Sequence, residues 1–292
     1  MTDLKRLHPS SLFLYFMTVI LLPMFVPNPV IISFSGIGGL LCLLSVRKKG
    51  DKLGIVFYFI LLALITLINP IFSHNGKTEL FFINNSAVTL EALIYGAVSG
   101  GMIISVLIWF RSFSAVMTSE KLLYVLGRFV PKFSLILSAA FRYIPLFRRQ
   151  QEKTRMTQTA MGLYKTDTLG NKLKSSARIF SILTTWSFEN AIDTADSMRA
   201  RGYNLRKRTP FSIYKKRPSD TVFSLINIFL TTISITTAIL GKISMKFYPE
   251  ISLPKTNVWV IMCYLSYGFL AILPAILELK EAIKWKYLTS KI

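Results

Sequence analysis

Five stretches of the chain carry no Asp, Glu, Lys, Arg or His, and this feature limits the fold more than any other. A helix needs roughly 20 apolar residues, within a range of about 17 to 25, to cross the hydrocarbon core of a bilayer. Four of the stretches have the length of one crossing, and the first is long enough for two. They are Ser11 to Val46, Leu53 to Pro70, Ala92 to Phe110, Thr221 to Gly241 and Thr256 to Pro274.

The first stretch is interrupted at Pro27-Asn28-Pro29. Asn28 can cap a new helix, and Pro29 can occupy the first turn of that helix. We therefore predict two short crossings joined by a tight turn, which gives about six crossings in all. The composition, 52% hydrophobic and only 17% charged, agrees with an all-α polytopic integral membrane protein.

Basic residues are concentrated in one region of the chain. Residues 111–217 hold 21 of the 35 Lys and Arg and 6 of the 14 acids, counted along the sequence. Because Lys and Arg collect on the cytoplasmic side of membrane proteins, we predict three parts. Residues 1–110 form four membrane helices, 111–217 form a cytoplasmic region of long amphipathic helices, and 218–292 form two membrane helices and a tail. Both termini are then cytoplasmic, although the loop 242–256, with three Lys and one Glu, must lie outside.

The charge pattern also restricts the partners and the chemistry. Anionic lipid attracts basic residues near its surface by about 1 kcal/mol each, and the bilayer is the first partner that these bases suggest. Nucleic acid is not predicted, since the bases alternate with apolar residues and no binding motif is present. No ionisable side chain lies at the centre of a crossing, where ion-driven transporters place them. Cys42 and Cys263 lie in apolar segments and are predicted to be buried without disulfide or metal.

Three glycines, Gly96, Gly100 and Gly101, lie in the fourth predicted crossing. Small residues four positions apart allow two helices to approach closely in a membrane. One interpretation is helix packing within the chain. The other is a sliding surface for a mobile partner, such as a second membrane subunit.

Two similar helix ends are predicted in the basic region. Apolar periodicity indicates a helix that begins after Pro131 and ends at Ala160-Met161-Gly162. A second helix begins near Ser175 and ends at Ala200-Arg201-Gly202. Each glycine follows its helix in the position where a left-handed residue stops it. Arg201 either complements the helix dipole or presents its planar guanidinium group to a carboxylate of a partner.

Glu189, Asp193 and Asp196 occupy one face of the second helix. Carboxylates at this spacing can bind a divalent metal in a membrane enzyme that acts on a lipid diphosphate, or they can pair with neighbouring bases. No second acidic cluster, nucleophile or phosphate loop accompanies them, and we predict no catalytic residue, metal site or cofactor. A magnesium-dependent enzyme and a stand-alone channel or carrier remain as alternative functions.

A series of short motifs runs along nearly the whole chain, and their order on this topology is more specific than any one of them. They are His8-Pro9, Asn28-Pro29, Asn69-Pro70-Ile71-Phe72-Ser73-His74, Thr89-Leu90-Glu91-Ala92-Leu93 with Tyr95-Gly96, Met117-Thr118-Ser119-Glu120-Lys121-Leu122, Arg142-Tyr143-Ile144-Pro145, and Asp193-Thr194-Ala195-Asp196-Ser197-Met198 continuing into Ala200-Arg201-Gly202-Tyr203. With these motifs the chain resembles the transmembrane T component of energy-coupling factor (ECF) transporters, a family that includes the membrane subunit of cobalt uptake systems.

The resemblance implies a non-catalytic coupling subunit without a cofactor. Such a subunit joins two cytoplasmic ABC-type ATPases to a small membrane S subunit that captures a vitamin or a transition-metal ion. Two short Ala-Arg-Gly or Ala-Arg-Ser motifs of the family dock one into each ATPase, which implies that Arg201 contacts an acidic groove. Met161 stands where the family often has Arg, so the first contact is expected to be apolar, weaker, or supported by Arg155.

Overall fold

The structure, a computed structural model, describes residues 3–46, 52–72, 76–83, 86–164, 168–203, 214–240 and 257–289, with isolated residues between 243 and 254. Within these ranges the chain is helical apart from one short hairpin. The elements are α1 (Asp3–Arg6), α2 (Pro9–Phe25), α3 (Pro29–Val46), α4 (Lys52–Phe72), β1 (Glu79–Ile83), β2 (Ser86–Thr89), α5 (Leu90–Val116), α6 (Ser119–Phe129), α7 (Pro131–Ala160), α8 (Leu169–Ala200), α9 (Pro218–Leu240) and α10 (Val258–Thr289).

The chain forms two compact units. The first, here called the membrane unit, comprises Met1–Val125 and Tyr214–Ile292, and the second, the helix-pair unit, comprises Leu126–Ile213. The predicted basic region, 111–217, therefore begins and ends inside the membrane unit. Its cytoplasmic position stays a prediction.

The helices agree with an all-α polytopic membrane protein. In the described part of the chain, α3, α5, α9 and the Val258–Lys280 part of α10 are long and apolar enough to cross a membrane. Two shorter apolar helices, Pro9–Phe25 and Val56–Phe72, coincide with the remaining predicted crossings. Cys42 and Cys263 are both buried, as predicted.

The break between α2 and α3 lies where Asn28 predicts it. The Asn28 side-chain oxygen accepts a hydrogen bond from the backbone N–H of Val30 at 3.0 Å, which caps α3. The Asn28 amide nitrogen donates to the Tyr264 hydroxyl at 2.9 Å and to the Ile243 carbonyl at 3.3 Å. This almost fully buried side chain therefore caps α3 and also holds the turn between α2 and α3 against α10.

Aromatic residues with satisfied polar atoms form the core of the membrane unit. The Tyr15 hydroxyl donates to the Leu270 carbonyl at 3.0 Å, and the Trp109 indole N–H donates to Ser35 at 3.1 Å. Both rings are fully buried. Buried polar atoms need such partners because water is absent from the bilayer core.

The hairpin of β1 and β2 was not predicted from the sequence. Its strands pair antiparallel, with Phe82 opposite Ala87. Runs this short give no periodicity that separates a strand from a loop. The hairpin is attached to α5 by Glu91, whose two carboxylate oxygens accept the Thr78 backbone N–H at 3.2 and 3.3 Å. Glu91 also lies in the first turn of α5, after the Thr89 cap.

Two helix boundaries differ from the prediction. The helix of the fourth crossing continues beyond Phe110 to Val116, so it includes Arg111. The helix α8 begins at Leu169, earlier than the predicted start near Ser175, because Thr168 caps it. The Thr168 hydroxyl accepts the Asn171 backbone N–H at 3.3 Å. Leu169 and Leu173 at the start of α8 are exposed and do not belong to the apolar face from which the helix was predicted.

Candidate docking site at two helix ends

The helix α7 ends in a Schellman motif at Ala160-Met161-Gly162, here called tip 1. Gly162 has φ +66°, which is in the left-handed region that glycine tolerates best. Its N–H donates to the Thr159 carbonyl at 3.0 Å, and the N–H of Leu163 donates to the Gln158 carbonyl at 2.9 Å. These two bonds satisfy carbonyl groups that the end of the helix would leave without partners.

The helix α8 ends in the same motif at Ala200-Arg201-Gly202, here called tip 2. Gly202 has φ +70°. Its N–H donates to the Arg199 carbonyl at 2.9 Å, and the N–H of Tyr203 donates to the Met198 carbonyl at 3.0 Å. The prediction that both helices stop at a C′ glycine is therefore confirmed. The two tips share one backbone conformation.

The tips are exposed and differ in their side chains. Ala160 and Ala200 are exposed, and a methyl side chain leaves the last helical turn accessible to a partner. Tip 1 presents Met161, whose relative exposure is 64%. Tip 2 presents Arg201, which is also exposed. One tip is thus apolar and the other cationic.

Arg201 has no acidic partner among the residues that the structure describes. The nearest described ion pair joins the neighbouring Arg199 to Asp196 at 3.8 Å, and both of these side chains are largely exposed. A surface pair of this kind contributes about 0–1 kcal/mol. The guanidinium group of Arg201 is therefore available to a carboxylate of another protein.

A second arginine lies beside tip 1. The guanidinium carbon of Arg155 is 5.0 Å from the centre of the Tyr164 ring, a cation–π distance. Tyr164 is held in turn by its N–H, which donates to the Gln158 carbonyl at 3.1 Å. The sequence suggested Arg155 as a supporting base, but it did not reveal Tyr164, whose only signal is an aromatic residue two positions after the glycine.

The two tips lie at opposite ends of an antiparallel helix pair. The Tyr143 hydroxyl and the Thr194 hydroxyl are 2.7 Å apart, and the Phe147 and Trp186 rings are 5.5 Å apart. Contacts later in α7 are therefore made with residues earlier in α8, so the two helices run in opposite directions. At 1.5 Å per residue, tip 1 is about 27 Å beyond Tyr143 and tip 2 about 10 Å beyond Thr194, in opposite directions.

The apolar face predicted for α8 holds the pair together. Ile179 is buried, and Ile182, Leu183 and Trp186 are partly buried. Thr154 of α7 and Ser175 of α8 are also buried. Most other side chains of the two helices are exposed, and those of both tips are among them.

The acidic residues of α8 do not converge on a site. Glu189, Asp193 and Asp196 are exposed, and Asp196 pairs with Arg199. In the described part of the chain, no three His, Cys, Asp or Glu residues lie close enough together to hold a metal ion.

The three glycines of α5 pack inside the membrane unit. A Cβ atom at Gly96 would lie 2.9 Å from Asn69 and 3.0 Å from the Thr66 carbonyl, both in α4. One at Gly100 would lie 3.4 Å from Ile65, and one at Gly101 would lie 3.1 Å from Ile32 of α3. These contacts favour helix packing as the role of the glycines; a role in S-subunit contact stays a prediction.

Comparison with known proteins identifies the family. The model of the cobalt transport protein family, CbiQ, matches residues 2–211, which include both tips. The chain belongs to this family. It is also similar to the energy-coupling factor transporter transmembrane protein EcfT 1 of Listeria monocytogenes serotype 1/2a (strain 08-5578), with 27% identity over 208 residues, 66% of this chain and 78% of the relative.

Membership gives the chain its general function. It is a membrane transport subunit and not an enzyme, and its similarity is to the transmembrane component of an ECF transporter. The alternative of an enzyme acting on a lipid diphosphate is therefore set aside.

Proposed function

We propose that this chain couples two cytoplasmic ABC-type ATPases to a membrane S subunit that captures a vitamin or a transition-metal ion. The observation that carries the proposal is the pair of exposed Schellman ends. They offer one backbone shape twice, at opposite ends of a helix pair. Two similar sockets on two ATPases can receive them.

Tip 2 docks by charge. Arg201 extends from the end of α8 and forms a bidentate pair with a carboxylate in the groove of one ATPase. Ala200 allows the groove to close around the helix end. An arginine is suited to this contact because two parallel hydrogen bonds from its planar guanidinium group to one carboxylate fix the orientation of the helix end.

Tip 1 docks mainly by apolar contact. Met161 and Met156 are both more than 60% exposed, and flexible thioether side chains fit irregular apolar sockets. Arg155, held by Tyr164, adds a positive charge at the edge of this contact. The two sockets therefore share a shape and differ in the chemistry of their lining.

The S subunit binds an apolar surface. Large apolar side chains remain exposed on the helix pair, and exposed patches of this kind are typical of interaction sites. Six of them are Phe133, Ile136, Ile144, Phe180, Phe188 and Ile192. ATP binding draws the ATPases together, the tips move with them, and the helix pair then holds or releases the S subunit as a two-state element.

Purification of the tagged chain from its native membranes tests the proposal. Mild detergent keeps the complex together, and mass spectrometry identifies the proteins that co-purify. We expect ABC-type ATPases and one small hydrophobic protein, whose ligand identifies the transported substrate. A chain that purifies alone, under conditions that preserve other membrane complexes, would contradict the proposal.

A further inference from the structure

A cluster of four side chains lies in the membrane unit where the chain leaves for the helix-pair unit and where it returns. His8 immediately precedes α2, and Asp220 lies in the first turn of α9. Tyr124 is the next-to-last residue of the first segment of the membrane unit, which ends at Val125, and Tyr214 is the first residue of the second segment. We call these four residues the linker clamp. Both covalent connections to the helix-pair unit pass through it.

The rings of the linker clamp pack in a row. The centres of the His8 and Tyr124 rings are 5.4 Å apart with an edge-to-face geometry. The centres of the Tyr124 and Tyr214 rings are 5.1 Å apart, also edge to face. Aromatic pairs favour this geometry, which fixes the rings in orientation as well as distance. The outgoing and the returning segments are thus held to each other and to the start of α2.

Hydrogen bonds give His8 one protonation pattern. Its Nδ1 accepts the backbone N–H of Ser10 at 3.3 Å and so caps α2. The proton of the neutral ring is then on Nε2, which lies 3.3 Å from the Tyr124 hydroxyl and donates to it. His8 is only 3% exposed, so the imidazole is a fixed part of the fold.

Asp220 fastens the same point to α9. One of its carboxylate oxygens accepts the His8 backbone N–H at 3.2 Å, and the other accepts the Arg217 backbone N–H at 2.9 Å. The Ser224 hydroxyl, 2.7 Å from the Ser11 hydroxyl, continues the contact between α2 and α9. Asp220 is 2% exposed. A displacement of Tyr124 or Tyr214 must therefore move the starts of both membrane helices or break these contacts.

We propose that the linker clamp is the element through which movement of the helix-pair unit reaches α2 and α9, with His8 and Tyr124 as positioning residues for coupling. This inference rests on the proposed function. It adds a place at which movement enters the membrane helices. The clamp is suited to this because His8 and Asp220 are almost fully buried, ring contacts and hydrogen bonds join its residues, and it is continuous with both linkers.

Amide hydrogen exchange of the complete complex, in nanodiscs with its co-purifying partners, tests the inference. A non-hydrolysable ATP analogue is added to the wild type and to His8→Ala. In the wild type, exchange should change by about threefold or more at the two tips and at the first turns of α2 and α9. In His8→Ala the change at the tips should remain, and the change at α2 and α9 should be lost.

Matched variants separate coupling from folding. Tyr124→Phe keeps the ring contacts with His8 and Tyr214 and loses only the hydroxyl contact with His8, so it should weaken the response less than His8→Ala does. Tyr95→Ala removes a comparable ring contact with Phe247, at 5.3 Å and away from the linkers, and should retain the full response. If the His8→Ala complex fails to assemble, Tyr214→Ala gives the same test at a half-buried residue.

Two results would overturn the inference. One is a His8→Ala complex in which α2 and α9 still respond to the nucleotide analogue. The other is a result in which every clamp variant that loses the response at α2 and α9 also fails to assemble the complex. A wild-type complex without any response at the tips would instead contradict the proposed function itself, since the tips report attachment to the ATPases directly.

Discussion

At the two tips the backbone is the same and the side chains differ. Both helices stop at a glycine with φ near +70° and make the same two hydrogen bonds. Met161 at one tip and Arg201 at the other then decide what each tip can bind. Side-chain chemistry therefore distinguishes the tips, and the shared backbone gives both of them the same shape.

Charge reversal at tip 2 should weaken attachment more than the corresponding change at tip 1. Breaking one side of a buried charged pair costs about 3–5 kcal/mol, which corresponds to more than about a hundredfold in affinity. We expect Arg201→Glu to retain less ATPase than Met161→Glu in a pull-down with the purified subunits. Arg149→Glu, an exposed change on α7 away from both tips, is the control and should bind as the wild type does. Equal retention by Arg201→Glu and Met161→Glu would show that Arg201 is not the main contact.

Replacing Gly162 should test the conformation of tip 1 without a steric effect. A Cβ atom there meets nothing within 4 Å, so the cost of Gly162→Ala comes from its φ of +66° alone. We expect a loss of about 1 kcal/mol in the free energy of unfolding, measured by denaturant titration in detergent. Gly162→Asn should lose less, because asparagine tolerates the left-handed region.

Gly170→Ala is the matched control for this measurement. Gly170 lies in the first turns of α8, and a Cβ atom there also meets nothing within 4 Å, but its φ is not positive. Since alanine favours a helix over glycine by about 0.5–1 kcal/mol, this variant should be as stable as the wild type or more so. Equal effects of the two alanines would contradict the role given to the left-handed glycine.

Individual residues were predictable where one residue type has one physical use. Asn28 between two prolines indicated a cap, and Gly162 and Gly202 indicated helix ends; the structure confirms all three. The contact of Arg155 with Tyr164 was not predictable, because it depends on the direction in which the chain leaves tip 1. Pattern alone does not contain that direction.

Among the elements, the pair α4 and α5 depends on a glycine face. A Cβ atom at Gly96 would meet Asn69 and the Thr66 carbonyl at about 3 Å, closer than normal contacts allow. The helices therefore approach each other only because the side chain is absent. Interhelical packing in membranes commonly uses small residues in this way.

Gly96→Ala should therefore destabilise the chain on its own. Overpacking of this kind typically costs about 1–3 kcal/mol, and the thermal midpoint of the purified subunit in detergent should fall. Gly36→Ala on α3, where a Cβ atom meets nothing within 4 Å, is the control and should leave the midpoint unchanged or raise it. An unchanged midpoint together with a lost S subunit would favour the sliding-surface interpretation instead.

Element prediction succeeded where the bilayer imposes a length and failed where local contacts decide. Charge-free stretches located the apolar helices, because a crossing requires a long run without charge. The hairpin of β1 and β2 was missed, since its strands are short and Glu91 holds it in place from α5. The start of α8 was missed because the Thr168 cap, rather than apolar periodicity, sets it.

For the molecule as a whole, the distribution of Lys and Arg predicts the orientation in the membrane. Cys42 and Cys263 are 0% exposed, so the wild type should give little background in thiol labelling. We expect a membrane-impermeant maleimide to label Lys77→Cys in intact cells and Arg201→Cys only after permeabilisation. The reverse pattern would invert the predicted topology.

In the proposed transporter one chain carries two ATPases, one on each tip. Native mass spectrometry of the complex measures the number of ATPase subunits on each chain directly. The complex is released from detergent without nucleotide, so that the two ATPases do not hold each other. The wild type should carry two ATPase subunits, and Arg201→Glu should carry one, bound at tip 1. A wild-type chain with no ATPase, or an Arg201→Glu chain that keeps two or loses both together, would contradict the account.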